Sequence, residues 1–300
     1  MTTVTFGGER RETPTQRTMR ILSHHATWWI GRTFKKSVPL VFVTGYPKSG
    51  TTWLTQLTAD YLQLPFPRYP ILPVGCPAVM HGHESVSPRD PSGVYLARDG
   101  RDAIVSLFFH LMRGVPEGDN PKLTPRMRHL FPGFTTKADV AGNMARFLER
   151  QMHSPTASPC NWNEHVMSAL RLTRDDWAFV RYEDLLANPY ETFVGAMGRL
   201  TKRPVDERRA RMAIEKFDFA TQAGRKHGDE KRGAYLRKGQ AGDWRNHFTR
   251  QMAEIFQSHC GEALVAAGYE RDASWVAACP ETRREIASAR ADGTVAAGAA

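Results

Sequence analysis

Cysteine is scarce in this chain of 300 residues, and long apolar runs are missing. The four cysteines stand far apart and form no C-x-x-C pair. That spacing argues against a zinc site or a disulfide framework and fits a reducing cytoplasm. No stretch reaches the length of a transmembrane helix, and no signal peptide is visible. We therefore predict a cytoplasmic protein.

Acidic residues are also fewer than basic ones, 31 against 41, which gives a net charge of +10. The surplus fits an anionic partner such as a nucleotide, an acidic substrate, a nucleic acid or a membrane surface, although it can equally serve solubility. Neither a helix-turn-helix nor an RNA-recognition signature is present. We therefore predict no nucleic-acid partner.

Residues 41–54 read as a strand, a tight loop and the start of a helix. Val41 to Thr44 are β-branched or aromatic, as a buried strand requires. Two glycines and Pro47 then interrupt the strand, and apolar residues near the helical period follow. The backbone N–H groups of such a loop and the helix N-terminus converge on one point and favour an anion there.

The same loop differs from a nucleotide-binding P-loop in one respect. Gly45 and Gly50 have the P-loop spacing, but Thr51 stands where the P-loop needs its lysine. The lysine is Lys48, inside the loop. This pattern predicts a phosphate cradle without the usual triphosphate and magnesium chemistry. The alternative is an ordinary strand, turn and helix with a chance lysine.

Two histidines end the next predicted strand, which runs from Ala78 to His83. Alternation along a strand puts His81 and His83 on one face. From the residues alone, three interpretations remain open. The pair could bind a metal, although no third ligand is apparent; both could be structural; or one could be catalytic.

Two more strands are predicted at residues 93–97 and 177–182. Arg98 at the end of the first offers a planar fork of donors for a phosphate, and Ser106 in the following helix offers a hydroxyl. Alternatively, Arg98 pairs with Asp102 and Ser106 only packs. Tyr182 ends the other strand, where open α/β sheets bind ligands.

The remaining segments are predicted from composition and periodicity. Residues 19–36 form a basic helix that lies on a membrane or packs on the core, and residues 224–239 form a basic, glycine-bearing run. His165 lines an acceptor pocket or packs in its helix. The other predictions are a loose segment at 1–18, a substrate-side loop at 65–77, a long flexible segment at 114–140, helices at 138–152, from Asn161, near 190–200 and near 205–216, and a disordered or frayed tail from about Cys279.

Three stretches of the chain resemble the cytosolic-type sulfotransferases. They are Tyr46-Pro47-Lys48-Ser49-Gly50-Thr51-Thr52-Trp53, the pattern Tyr95-x-x-Arg98 with Asp102, Val105 and Ser106, and the run from Arg237-Lys238-Gly239 through Gly242-Asp243-Trp244 to Phe248-Thr249. The resemblance extends from about Pro39 to about Phe256. It implies a single α/β domain with a central parallel β-sheet flanked by helices, related to the P-loop nucleotide kinases.

The resemblance also implies a reaction and a set of site residues. The family transfers a sulfuryl group from PAPS (3′-phosphoadenosine 5′-phosphosulfate) to a hydroxyl, giving PAP and a sulfate ester, with no metal. His83 matches the general base, and Lys48 would stabilise the charge on the bridging oxygen. The nucleotide would be held by Lys48, Ser49, Gly50, Thr51, Thr52, Trp53, Arg98, Ser106, Tyr182, Phe219, Arg237, Lys238 and Gly239.

Two positions depart from the family pattern. His81 stands where the family has the lysine of Lys-x-His. In the family's short dimer segment, matched here by Arg245, Thr249, Arg250 and Glu254, Arg250 replaces a valine and would bring like charges together across a two-fold axis. We therefore predict a monomer or a weak dimer.

The predicted partners are a small-molecule, lipid or carbohydrate hydroxyl acceptor and, through residues 19–36, a membrane surface. The predicted domain layout is an N-terminal extension over 1–36, the sulfotransferase domain over 37–270 and a partly disordered tail over 271–300. The alternative functions are a P-loop-type nucleotide or small-molecule kinase and a non-catalytic protein that binds PAP or nucleic acid.

Overall fold

The computed structural model describes residues 13–35, 37–118, 121–155, 158–218, 240–282 and 285–286. Its strands are β1 Leu40–Thr44, β2 Ala78–Gly82, β3 Gly93–Ala97 and β4 Trp177–Arg181. Its α-helices are α1 Pro14–Thr33, α2 Thr51–Leu62, α3 Gly100–Met112, α4 Pro125–Leu130, α5 Val140–His153, α6 Trp162–Leu170, α7 Tyr182–Ala187, α8 Pro189–Thr201, α9 Glu207–Lys216 and α10 Arg250–Ala266.

The four described strands form one parallel sheet in the order β2-β1-β3-β4. β1 is central, so that Thr44 lies opposite Gly82 of β2 and Tyr95 of β3. The chain passes from β1 to one side for β2 and to the other side for β3. Open α/β sheets bind ligands at the carboxyl ends of their strands, next to such a switch point. The predicted α/β fold with a central parallel sheet is confirmed.

Both faces of the sheet are covered, which explains the nearly continuous apolar strands. Phe42 of β1 packs in one buried cluster with Trp28 of α1 and Phe108 of α3. Its neighbour Val43 points the other way and packs with Leu54 of α2 in a second cluster. The core therefore consists of two apolar layers, and it holds the carboxyl ends of the strands in a fixed arrangement.

Helix α1 begins earlier than expected and packs on the sheet. The side chain of Thr13 accepts a hydrogen bond from the Gln16 backbone, and the Gln16 side chain accepts one from Thr13. This capping box starts the helix at Pro14, so residues 14–18 are helical rather than loose. The Trp28 ring lies 3.7 Å from the Phe42 ring, centroid to centroid. None of the described helices is both long and apolar enough to cross a bilayer.

The prediction of a long flexible segment over residues 114–140 is wrong for its second half. Helix α4 lies within it, and the Thr124 side chain caps it by accepting a hydrogen bond from the Met127 backbone. Leu130 and Phe131 are buried in the core. The richness of the segment in proline, glycine and charge hid a Thr-Pro pair, which is a helix-start signal.

The described part of the C-terminal segment packs on the domain. The short 3₁₀ helix Ala273–Val276 buries Trp275, whose ring lies 4.4 Å from the guanidinium carbon of Arg101. Cys279 is also buried. The described residues 271–282 therefore pack on the domain, and the proposed domain boundaries stay a prediction.

Candidate functional site

The predicted site residues meet at the carboxyl edge of the sheet. The loop with Lys48 follows β1, and His83 follows β2. Arg98 follows β3, and Tyr182 follows β4. Because the strands are parallel and adjacent, their ends deliver these four side chains to one edge. Phe219, Arg237, Lys238 and Gly239 lie outside the described residues.

The loop between β1 and α2 is held in a tight, partly left-handed shape. Lys48 has φ of 71° and Gly50 has φ of 91°. A Cβ added at Gly45 would lie 2.4 Å from the backbone oxygen of Leu96, and one at Gly50 would lie 2.9 Å from the Tyr182 ring. A left-handed lysine is uncommon, so its strain must be offset by the contacts around the loop. Close approach to the Leu96 backbone requires glycine at position 45, and the left-handed φ together with the nearby Tyr182 ring favours glycine at position 50.

The loop contains buried hydroxyls that have no partner within the described structure. Ser49 and Thr51 are almost fully buried, and neither side-chain oxygen is hydrogen-bonded. Leaving such a group unpaired costs about 1–3 kcal/mol. The N-cap of α2 is Gly50, which supplies no side-chain cap, so the first N–H groups of the helix lack a capping side chain. These donors fit an anionic phosphosulfate group.

His83 is partly buried and hydrogen-bonded to the loop backbone. Its Nδ1 lies 2.8 Å from the carbonyl oxygen of Gly45. A carbonyl only accepts, so Nδ1 carries the proton and Nε2 carries the lone pair. Desolvation lowers the pKa of His83, and the positive charge of Lys48 contributes to the same direction. The imidazole is therefore a neutral base at neutral pH.

Behind His83 lies a chain of two buried side chains. His165 Nε2 donates to the backbone oxygen of His83 over 3.0 Å, and the Tyr95 hydroxyl donates to His165 Nδ1 over 2.7 Å. Desolvation lowers the pKa of His165 to about 4, which keeps it neutral, and the carbonyl acceptor places its proton on Nε2. His165 is fully buried, so it packs within the core and holds the His83 backbone from behind.

His81 lies beside His83, as the strand alternation predicted. The two ring centroids are 4.8 Å apart, and the Thr52 hydroxyl lies 3.4 Å from His81 Nε2. Desolvation, followed by the proximity of His83, lowers the pKa of His81 well below its ordinary value. Among the described residues, no group of three or more His, Cys, Asp or Glu side chains is arranged to hold a metal ion.

Arg98 connects three parts of the site. Its guanidinium donates to the Lys48 carbonyl over 3.2 Å and to the Gln240 carbonyl over 3.0 Å. It also lies 4.7 Å from the centroid of the Tyr182 ring. Asp102 is 3.9 Å away, at the limit of an ion pair. The sequence left Arg98 as either a phosphate ligand or the partner of Asp102. The structure shows that Arg98 faces Asp102 and also holds the loop through the Lys48 carbonyl.

Asp102, which the sequence suggested only as a partner of Arg98 and as part of a family pattern, also bonds to a neighbouring backbone segment. Its carboxylate accepts hydrogen bonds from the backbone N–H groups of Gly242 and Trp244 over 2.6 and 2.8 Å. Burial raises its pKa to about 6. These bonds hold Gly242 and Trp244 against α3. They also place Gln240, the residue after Gly239, next to Arg98.

The aromatic residues of the site pack edge to face. The rings of Trp53 and Tyr182 are 6.1 Å apart at 74°. The Trp53 indole nitrogen is buried without a hydrogen-bond partner in the described structure. Ser106 is half-buried on α3, two turns beyond the end of β3. The geometry thus places Lys48, Ser49, Trp53, His83, Arg98 and Tyr182 at one edge of the sheet.

Comparison with known proteins identifies the family. The sequence model described as "Sulfotransferase domain" matches residues 78–268, which is more than half of the chain. Human sulfotransferase 2B1 is 24% identical over 257 residues, covering 72% of this chain and 63% of the human protein. The chain thus spans less than two thirds of that relative's length.

Two solved structures share the fold. The crystal structure of mouse sulfotransferase SULT7A1 complexed with PAP superposes with a TM-score of 0.57 at 21% identity, covering 83% of this chain and 96% of that one. Retinol dehydratase in complex with androsterone and PAP gives a TM-score of 0.52 at 19% identity, with coverages of 85% and 95%. The match to the family model, together with this shared fold, shows that the chain belongs to the sulfotransferase family, as its motifs predicted.

Proposed function

We propose that the carboxyl edge of the sheet is the active site of a PAPS-dependent sulfotransferase whose base is His83. The observation that carries the proposal is the bond from His83 Nδ1 to Gly45, which leaves Nε2 free to accept a proton. PAPS supplies the sulfuryl group and leaves as PAP. The acceptor hydroxyl loses its proton to His83 Nε2, and its oxygen bonds to sulfur in a sulfate ester.

Lys48 is proposed to stabilise negative charge on the bridging oxygen. Its position beside Ser49 and Thr51, whose buried hydroxyls lack partners in the described structure, supports this role. Its positive charge also contributes to the lowered pKa values of His83 and His110, whose main cause is burial. His81 is proposed to help hold the sulfuryl oxygens in place of the family's lysine.

The rest of the proposed nucleotide site is assigned by contact and by sequence match. The backbone and hydroxyls of Ser49, Gly50, Thr51 and Thr52 would hold the 5′-phosphosulfate, supported by the unpaired oxygens of Ser49 and Thr51. Arg98, Ser106, Arg237, Lys238 and Gly239 would hold the 3′-phosphate. Trp53 and Phe219 would enclose the adenine, with Tyr182 beside them.

The acceptor, the assembly and the compartment are proposed on narrower grounds. Relatives such as the retinol dehydratase structure with androsterone favour a hydroxyl-bearing small molecule or lipid, and a carbohydrate stays an alternative. A monomer is favoured because Arg250 bonds within its own chain, to Glu281 and, over 3.0 Å, to the Ala277 carbonyl. We propose a cytoplasmic location, in line with the cysteine content.

A binding and turnover experiment separates the candidate functions. The purified protein is titrated with PAPS and then incubated with labelled PAPS and a panel of alcohols, phenols and sugars. Binding with transfer of label supports the sulfotransferase. Binding without transfer to any acceptor supports a non-catalytic PAP-binding protein. Transfer from ATP would support a kinase, which is disfavoured because Thr51 occupies the P-loop lysine position.

A further inference from the structure

Exposed large apolar side chains are concentrated on two neighbouring segments. Ten such side chains are exposed in the described part of the chain, and only Met212 and Val265 lie elsewhere. The eight others belong to the segment 19–34 or the loop 65–77; they are Met19, Ile21, Leu22, Trp29, Phe34, Tyr69, Ile71 and Leu72. We call these two segments the α1 surface. Such a concentration of exposed apolar side chains is typical of an interaction site.

Helix α1 carries apolar residues on two faces. The inner face buries Thr27, Trp28 and Gly31 against the core. Leu22 and Trp29, which are seven residues apart and therefore on one face, are 63% and 60% exposed. Packing on the sheet therefore accounts for only one of the two faces.

The loop 65–77 lies against α1 and leads towards the candidate base. The Val74 backbone donates to the Thr27 hydroxyl over 2.9 Å, and the Arg20 guanidinium lies 5.6 Å from the Tyr69 ring centroid. The loop continues directly into β2, at whose end stands His83. Within the loop, the Phe66 ring lies 6.3 Å from the His81 ring. The α1 surface thus adjoins the acceptor side of the site.

The charge on these segments has one sign. Residues 13–35 and 65–77 contain no Asp or Glu. Their basic side chains are Arg17, Arg20, Arg32, Lys35 and Arg68, and Arg17, Arg32 and Lys35 are exposed. Arg32 is bonded to Asp90. Apolar side chains flanked by cations complement an anionic lipid surface, where the rings enter the headgroup region and the cations meet phosphate.

We propose that the α1 surface docks onto an anionic membrane. A second copy of the chain is a poorer occupant, because two such basic surfaces would repel each other across a two-fold axis. A dissolved anion would use the cations but leave the rings exposed. The inference extends to the substrate, and this part rests on the proposed function: docking would present the site beside β2 to a lipid that carries a hydroxyl.

Vesicle flotation tests the docking. The full chain is mixed with vesicles of phosphatidylcholine alone or of equal parts phosphatidylcholine and phosphatidylglycerol. We expect binding to the anionic vesicles only, weakened by salt, with each basic residue near the surface contributing about fivefold. Absence of binding to the anionic vesicles would overturn the proposal.

Matched pairs of exposed residues control for non-specific effects. Leu22→Ser/Trp29→Ser should weaken vesicle binding by at least about tenfold, while Met212→Ser/Val265→Ser should bind as the wild type does. Arg17→Glu/Lys35→Glu should also weaken binding, and Arg203→Glu/Arg208→Glu should do so less. If a variant of the α1 surface and its matched control weakened vesicle binding equally, the assignment of the docking to the α1 surface would be overturned. A dimer in sedimentation velocity that is lost only in Leu22→Ser/Trp29→Ser would overturn it as well.

The membrane docking and the sulfotransferase reaction can be tested independently of each other. PAP affinity and turnover of a water-soluble acceptor should be the same in Leu22→Ser/Trp29→Ser as in the wild type, while turnover of a hydroxyl lipid in anionic vesicles should fall. Turnover of a dissolved acceptor without vesicle binding would overturn the docking alone. Vesicle binding without turnover of any acceptor would overturn the proposed function and the lipid substrate, but would leave the docking standing.

Discussion

The Nδ1–H of His83 is donated to the backbone carbonyl of Gly45 across 2.8 Å. This bond joins the end of β2 to the start of the loop that follows β1, so the candidate base and the anion cradle form one rigid unit. It also fixes the histidine tautomer, with the lone pair on Nε2.

Replacing Lys48 by alanine should slow the reaction without preventing nucleotide binding. The lysine is expected to act on charge that develops during transfer, and loss of one such donor typically costs about 10²–10³ in rate. Steady-state turnover and PAP calorimetry of Lys48→Ala measure the two effects. Turnover within about threefold of wild type would remove this role from Lys48.

The protein should bind PAP more tightly than AMP or ATP. Hydrogen bonds from Arg98 to a 3′-phosphate would be charge-assisted and would contribute about 1.5–3 kcal/mol each. Calorimetry of PAP against AMP measures the preference, and Arg98→Lys should reduce it because the planar fork is lost. Equal affinities for PAP and AMP in the wild type would mean that no 3′-phosphate site exists.

His165 should act as a positioning residue. It holds the backbone of His83 through a 3.0 Å bond, so His165→Phe should displace the base. A displacement of about 1 Å can cost on the order of 10²-fold in rate. His165→Gln offers both a donor and an acceptor and should restore part of kcat. A purely structural role would instead lower the melting temperature equally in both variants and leave kcat of the folded protein unchanged.

The residues at the ends of the strands could be predicted from the sequence, but the buried contacts that support these residues could not. Apolar strands that stop at Gly45, His83, Arg98 or Tyr182 are local patterns, and parallel pairing then brings their ends together. The link from Tyr95 through His165 to His83 joins residues up to 82 positions apart. The acceptor in this link is the backbone oxygen of His83, and no pattern of side chains in the sequence indicates what a backbone oxygen bonds to. The exposure of the outer face of α1 could not be predicted either. The periodicity of its apolar residues does not show which of them pack in the core and which stay exposed.

The pH dependence of turnover should follow the protonation of His83. Burial lowers its pKa below the ordinary value of about 6.5. The imidazole loses its function when it gains a proton, so kcat should be level near neutral pH and should fall on the acid side, with a midpoint below that of a free histidine. A pH–rate profile with an acid midpoint at or above neutrality would contradict a desolvated base. Burial lowers the pKa of His165 to about 4, so this residue stays neutral near neutral pH.

The lowered pKa values of His83 and His81 also make the free energy of unfolding depend on pH. Below the ordinary histidine pKa the unfolded chain binds protons that the folded His83 and His81 resist. Unfolding is then favoured as the pH falls. The raised pKa of Asp102 acts in the opposite direction, so the prediction concerns the contribution of the histidines: in chemical denaturation, the slope of the unfolding free energy against pH over that range should be more positive in the wild type than in His81→Ala. An unchanged slope in His81→Ala would show that His81 titrates alike in both states.

The most direct test of the account compares turnover and PAP affinity in His83→Ala, His81→Ala and His81→Lys. A general base contributes about 10²–10⁴ to rate and little to nucleotide binding. His83→Ala should therefore abolish turnover while its PAP affinity, measured by calorimetry, stays near that of the wild type. His81→Ala should be milder, and His81→Lys should remain active. An active His83→Ala together with an inactive His81→Ala would contradict the assignment and move the base to His81.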